Sequence, residues 1–283
     1  GDDPGEVTRM LAGIIGGTGQ MGRFFAEVFR AAGWEVIVSG TRTALSSREI
    51  AETADLVMVS VPIRATVGVI REVAPLLTEE QVFCDLTSLK VEPVRAMLTS
   101  RAEVIGLHPM FGPGAASLRG QTIVATPGRC RPETLEGLLS VFRDQGASVT
   151  LSTPEDHDRM MAVVQGLTHF GTLAKAEAIR RTGADVGETL SFTSPVYRIE
   201  IGFVGRLLAQ DADLYGDILQ MNPAVPGVLA AFEEAVRTLR EIVESGDRER
   251  LRAFFSGNSS HYASYLRAAT EETDDLINHA VGR

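Results

Sequence analysis

Leu11-Ala12-Gly13-Ile14-Ile15-Gly16-Gly17-Thr18-Gly19-Gln20-Met21-Gly22 decides the fold of this 283-residue chain. The apolar run Leu11 to Ile15 reads as a buried strand. A G-x-G-x-x-G over residues 17–22 then turns it straight into a helix whose apolar positions recur every 3.6 residues through Met21 to Ala32. Gly17 permits the tight turn, Gly19 lets backbone N–H groups approach a pyrophosphate, and Gly22 lets the helix pack on the sheet with its positive end facing the anion. Thr18, Gln20 and Met21 complete the same loop and are expected at the cofactor with it. Alone, such a fingerprint also fits a structural glycine turn. At the head of a strand-turn-helix unit it points to a dinucleotide.

Outward from this unit, short apolar runs continue at Glu35 to Ser39, Asp55 to Val61, Val82 to Asp85, Val104 to Leu107, Gln121 to Ala125 and Ser148 to Leu151. Helical patterns separate them, so the rhythm is βαβ and the expectation is an α/β fold with a doubly wound parallel sheet, a Rossmann domain over residues 10–152. After Ser152-Thr153-Pro154-Glu155, a capped helix start, strand-like runs cease. Residues 153–283 read as an all-α domain with helices near 155–181, 187–209, 211–220, 224–245 and 247–278. That is more helix than a small cap requires, and it predicts substrate binding and a shared homodimer core. Residues 1–9 read as a loose tail.

A net charge of −10 argues against nucleic acid or an anionic membrane as the main partner, while leaving room for a local basic pocket. Two cysteines, Cys84 in an apolar run and Cys130 in a turn, are too few and too scattered for a disulfide framework or a zinc site, so no metal and a cytoplasmic location are expected. No stretch reads as a signal peptide or a membrane span. Nearly all basic residues are Arg, with Lys90 and Lys175 the only lysines.

The end of the second strand bears on the nucleotide. NAD enzymes usually place Asp or Glu there for the ribose diol, whereas Ser39-Gly40-Thr41-Arg42 offers hydroxyls and a cation. Ser39, Thr41 and Arg42 therefore favour NADP over NAD, with a solvated Arg42, or Arg48 in its place, as the alternatives. Ser60-Val61-Pro62, ending the third strand, should line the nicotinamide side.

Gly106-Leu107-His108-Pro109-Met110-Phe111-Gly112-Pro113 places an imidazole where an apolar strand stops and a stiff Pro/Gly loop begins. A histidine held there is a natural general base, although a strand-end cap is the plainer reading. Asp85-Leu86-Thr87-Ser88-Leu89-Lys90 ends the preceding strand, so the Ser88 hydroxyl could orient the His108 ring. In the helical part, Arg198 and Arg206 are eight residues apart, about two turns, and could clamp carboxylates from one face or simply snorkel.

The combination G-G-T-G-Q-M-G, V-S-V-P-I, D-L-T-S-L-K, G-L-H-P-M-F-G-P, E-D-H-D and S-P-V-Y-R-I-E-I-G-F-V-G-R resembles the prephenate dehydrogenase family of the tyrosine pathway, particularly the dehydrogenase part of bifunctional bacterial enzymes. The likeness runs from about residue 11 to 275, and its G-L-H-P-M-F-G-P and S-P-V-Y-R segments are the specific ones. It implies oxidative decarboxylation of a small dianionic cyclohexadienyl substrate. Hydride leaves C4 for the nicotinamide, CO2 leaves C1, and the ring becomes aromatic. By the same resemblance His108 takes the C4 hydroxyl proton, Ser88 hydrogen-bonds beside it, Arg206 holds a substrate carboxylate, and His169 and Arg198 line or support the pocket.

Three departures qualify this. No chorismate mutase segment precedes the glycine loop, so the chain is expected to be monofunctional. Thr168 stands where the bifunctional enzymes carry a basic residue before the histidine, and the acid after the second strand is missing. Arogenate and 4-amino-4-deoxyprephenate are alternative substrates of the same reaction. A β-hydroxyacid dehydrogenase or imine reductase is the alternative from another enzyme class. Its G-x-x-K-x-x-x-N pattern fails here, since Gly171 to Lys175 is one residue too long and Ile179 replaces the asparagine. A nucleotide-binding regulator without turnover would have no use for His108, Ser88 and Arg206 together.

Overall fold

The computed structural model describes residues 9–282. The expected tail thus falls, but for Arg9, outside the described residues. The chain divides into two compact units at Met161 and Ala162.

The first unit is a seven-stranded sheet in the order β2-β1-β3-β4-β5-β6-β7. Its strands are β1 (Leu11–Ile15), β2 (Glu35–Ser39), β3 (Leu56–Val59), β4 (Val82–Asp85), β5 (Glu103–Pro109), β6 (Thr122–Pro127) and β7 (Ser148–Leu151). The helices are α1 (Gln20–Ala31), α2 (Ser47–Thr53), α3 (Ile63–Val73), α4 (Val91–Met97), α5 (Pro132–Arg143) and α6 (Pro154–Met161). Side chains alternate across the central strands, and both faces are covered. Ile14, Met58, Cys84 and Ile105 pack with Phe25, Phe29 and Phe142 of α1 and α5. Ile15, Val57, Phe83 and Val104 pack with Ile50, Ile70, Val94 and Met97 of α2, α3 and α4. Burial on both faces is why these strands read as continuous apolar runs rather than as an alternating pattern.

The sheet is mixed, not wholly parallel. The first five strands run parallel, and β5 pairs antiparallel with β6, from Pro109 opposite Ile123 to Ile105 opposite Pro127. β7 then runs parallel to β6. The reason lies in residues 110–121, a connection with three glycines and no helix. A parallel return needs a long crossover, usually helical, and this segment supplies none.

The sheet order reverses between β1 and β3, which are neighbours, second and third in the order. Beyond the carboxyl ends of β1, β3, β4 and β5 lies the region where open α/β sheets bind ligands.

The division falls nine residues beyond the expected break at Ser152 and Thr153, because α6 belongs with the sheet: it packs on α4 and β6. The second unit opens with a π-helical stretch, Ala162–Leu167, packed against α11 (Val225–Ser245). Its other helices are α7 (Thr168–Thr182), α8 (Val186–Ser191), α9 (Pro195–Leu208), α10 (Ala212–Met221), α12 (Arg248–His261) and α13 (Leu266–Val281). The helix expected over 187–209 is two helices, because Ser194 caps a fresh start with Pro195 at its first turn. The helix expected over 247–278 breaks at Tyr262, where neither Gly nor Pro marks the stop. The unit has a thin core and much exposed apolar surface, with Phe192 84% and Phe255 73% accessible.

Candidate active site

The glycine loop is built for close backbone approach. The tight turn expected at Gly17 falls instead at Gly16, which has φ +81° and where a Cβ would lie 2.1 Å from the Ser60 carbonyl oxygen, and a Cβ on Gly22 would lie 2.5 Å from the Gly16 oxygen. A Cβ on Gly17 would strike Val38 of β2 at 2.5 Å. Gly19 is the N-cap of α1 and supplies no capping side chain, so the first turn of a twelve-residue helix is left to an anion or to solvent. These residues fit a pyrophosphate. Ser60, Val61 and Pro62 follow β3 beside this loop, with the Ser60 N–H donating to the Ile15 carbonyl at 2.8 Å.

At the end of β2, Ser39 is buried with its hydroxyl unpartnered, while Thr41 and Arg42 are exposed. Thr43, which the sequence did not single out, ties this loop: its hydroxyl accepts from the Gly40 N–H at 2.9 Å and sits 2.8 Å from the Leu45 carbonyl. The first acid after β2 is Glu49, and it is engaged in a capping box with Ser46, accepting the Ser46 N–H at 2.8 Å. Arg48 is paired with Glu52.

The carboxyl end of β5 carries a buried polar chain that the sequence motifs contained without disclosing. His108, 2% exposed, has its Nδ1 2.8 Å from Nε2 of His157 on α6. His157 in turn has Nδ1 2.7 Å from Oδ1 of Asp158. The Asp158 carboxylate also accepts the backbone N–H groups of Lys90 at 2.8 Å and Val91 at 3.0 Å, which fastens α6 to the start of α4. Beneath lies a fully buried ion pair, Lys90 Nζ to Asp85 Oδ2 at 2.5 Å. Burial raises the Asp85 carboxyl and lowers the Lys90 ammonium from their ordinary values, each opposed by the other's charge. Burial, with His157 and Lys90 nearby, holds His108 well below the ordinary histidine value. His157 is lowered by burial too, against the pull of Asp158. Both rings are therefore neutral near pH 7 and able to accept a proton.

Ser88 is half-buried in the loop after β4, and its hydroxyl is not a member of this chain; the ring of His108 is oriented by His157. Sequence reasoning passed over His157, Asp158 and the Lys90–Asp85 pair. The available signals were a His-Asp dipeptide in the first turns of a Pro-started helix and one of only two lysines lying inside an apolar motif.

In the helical unit, Thr168, His169, Thr172, Phe203, Arg206, Leu207, Gln210 and Tyr215 line a cavity of about 330 Å3. The His169 ring meets Tyr215 edge-on at 4.7 Å, and burial lowers its pKa. Tyr215 donates its hydroxyl to Gln210 Oε1 at 2.9 Å, and Gln210 donates to the Arg206 carbonyl at 3.1 Å, so Tyr215 is locked to α9. His169 and Arg206 are brought together. Arg198 is not with them: it lines a separate cavity with His279, because eight residues turn a helix by about 80° beyond two full turns. Lys175 is ion-paired with Glu200 across α7 and α9. Among the described residues no group of three or more His, Cys, Asp or Glu could hold a metal ion, and no helix is long and apolar enough to cross a membrane.

Comparison with known proteins agrees with this arrangement. A family profile described as "Prephenate dehydrogenase, nucleotide-binding domain" matches residues 29–151, and one described as "Prephenate dehydrogenase, dimerization domain" matches residues 153–257. A "T-protein" from Haemophilus influenzae is 34% identical, covering 93% of this chain and 72% of that protein. A "Probable arogenate/prephenate dehydrogenase" from Methanocaldococcus jannaschii is 32% identical over 95% of this chain, which spans 65% of that relative's length. A crystal structure of prephenate dehydrogenase from Aquifex aeolicus with hydroxyphenyl propionate and NAD+ shares the fold, with a TM-score of 0.73, 21% identity, and coverage of 91% of this chain and 99% of that one. Two profiles that together span most of the chain, and relatives above 30% identity over more than nine-tenths of it, establish that this chain belongs to the prephenate dehydrogenase family.

Proposed function

We propose that this chain oxidises and decarboxylates prephenate to 4-hydroxyphenylpyruvate, a step toward tyrosine, using NADP in preference to NAD. The observation that carries the reading is the buried His108 at the carboxyl end of β5, its Nδ1 engaged by His157. A bound oxidised nicotinamide supplies the hydride acceptor. His108 takes the proton of the C4 hydroxyl as the hydride leaves C4 and a carbonyl forms there. The bond from C1 to its carboxylate then breaks, CO2 departs, its electron pair enters the ring, and the C4 oxygen recovers a proton. Charge balances with no net proton released, so His108 can return to that oxygen the proton it took. Ser88 is assigned to hydrogen-bond near the C4 hydroxyl.

Arg206 and His169 are assigned to the substrate carboxylate. Their cavity is lined by a guanidinium, an imidazole, hydroxyls and an amide, and by no acidic side chain. A keto-acid side chain finds donors there, whereas the ammonium of arogenate finds no counter-ion, which favours prephenate. NADP is supported by the exposed Arg42 and by the engagement of Glu49 in its cap, which leaves the loop after β2 without an acid for a ribose diol. The exposed apolar side chains of the helical unit support a homodimer formed through it. The free thiols Cys84 and Cys130 fit a cytoplasmic, reducing setting.

The test is formation of reduced nicotinamide with prephenate, arogenate and 4-amino-4-deoxyprephenate, each with NAD and NADP. The expected result is the highest kcat/KM for prephenate with NADP. No turnover in any of the six pairs, with nucleotide still bound, would remove the assignment. Lys175 gives the hydroxyacid dehydrogenase reading no support, since its ammonium is occupied by Glu200.

A further inference from the structure

We propose that Asp158, acting through His157, is a positioning device that holds His108 in the Nδ1–H tautomer with its lone pair on Nε2. We further propose that the positive charge formed when Nε2 takes a proton is shared into His157 beside Asp158. This deepens the functional reading above and rests on His108 being its base.

The order of donors follows from one end of the chain. Both Asp158 oxygens accept backbone N–H bonds, from Lys90 and Val91, the pattern that suits an ionised carboxylate. A carboxylate cannot donate, so at 2.7 Å the hydrogen must sit on His157 Nδ1. A neutral His157 protonated at Nδ1 presents a bare Nε2. At 2.8 Å from it, His108 must donate from Nδ1, which leaves the lone pair of a neutral His108 on Nε2. Two nitrogens facing each other at that distance require one hydrogen between them, and this assignment supplies it while keeping the hydrogen on the His157 side of the contact with Asp158.

The same chain manages the charge. When the C4 O–H bond breaks and an N–H bond forms at His108 Nε2, the Nδ1 hydrogen can move toward His157 Nε2. His157 then becomes the imidazolium, hydrogen-bonded to Asp158. When the C4 oxygen takes its proton back, both shifts reverse, and no group is left oxidised or reduced. The charged neighbours are Lys90 at the N-cap of α4 and Asp85 at the end of β4, which face one another, together with Asp158 on α6. Lys90 disfavours a cation on either ring, and Asp158 is the anion in direct contact with His157. The second histidine thus places the transient charge where an anion meets it.

The experiment is 15N NMR of the histidine rings in the full chain without substrate. The expected result is a protonated Nδ1 and a bare Nε2 on both His108 and His157, with the signals assigned by loss in His108→Asn and His157→Gln. A bare Nδ1 on His108 would overturn the proposal whether or not the protein turns over prephenate. The kinetic arm is His157→Gln, expected to lower kcat about a hundredfold with KM for substrate and nucleotide within about threefold. A kcat within threefold of the parent would equally overturn it. Should His157→Gln fail to fold, the NMR of the parent protein still decides, with His108→Asn for assignment. Absence of turnover of any substrate alongside the expected tautomers would instead count against the functional reading.

Discussion

Asp158 and Lys90, 68 residues apart in sequence, are joined by a 2.8 Å hydrogen bond from the Lys90 backbone N–H to Oδ1 of Asp158. That bond makes α6 part of the sheet-bearing unit and sets His157 against His108.

Removing the carboxylate should therefore unfold the site's frame. Asp158→Ala leaves the Lys90 and Val91 N–H groups and His157 Nδ1 without their acceptor, and the expected loss is about 2–4 kcal/mol of stability. Urea denaturation checks this, and a loss under about 0.5 kcal/mol would show that the contacts are dispensable.

Stability should fall on mild acidification. Unfolded histidines titrate near 6.5, and in the fold burial holds His108, His157 and His169 below that value. Between the folded and unfolded values the unfolded chain binds more protons, so stability rises with pH in that window and declines as pH drops from about 7 to 5. A urea midpoint that is flat across this range would contradict the burial of these rings.

Much of this was legible in the chain beforehand, for identifiable reasons. The strands β1, β3, β4 and β5 are buried on both faces, so their apolar runs stand out, and the glycine loop marks the close approaches at Gly17 and Gly22, although the left-handed turn itself falls one residue earlier than expected, at Gly16. The antiparallel turn into β6 was hidden because strand direction is set by the connection, and the 110–121 segment had to be read as lacking a helix. The His108–His157–Asp158 chain was hidden because it joins residues 49 apart through tertiary packing alone. The separation of Arg198 from Arg206 was a matter of helical phase, which spacing in whole turns conceals.

Arg206→Ala should raise KM for prephenate by about 10- to 100-fold while leaving kcat within a few-fold, as expected for a charge-assisted contact made equally in ground and transition states. Steady-state kinetics at saturating nucleotide checks it; an unchanged KM would place the carboxylate elsewhere.

Arg42→Ala should lower kcat/KM for NADP about tenfold and leave that for NAD nearly unchanged, since only the 2′-phosphate needs the guanidinium. Equal losses with both nucleotides would mean that Arg42 serves the fold or the shared pyrophosphate.

The most direct measurement is the rate of reduced nicotinamide formation by His108→Asn with prephenate, alongside its nucleotide dissociation constant. The account predicts a fall of at least about a thousandfold in kcat with nucleotide affinity within about threefold of the parent. A variant turning over within a few-fold of the parent would contradict the assignment of His108 as the base.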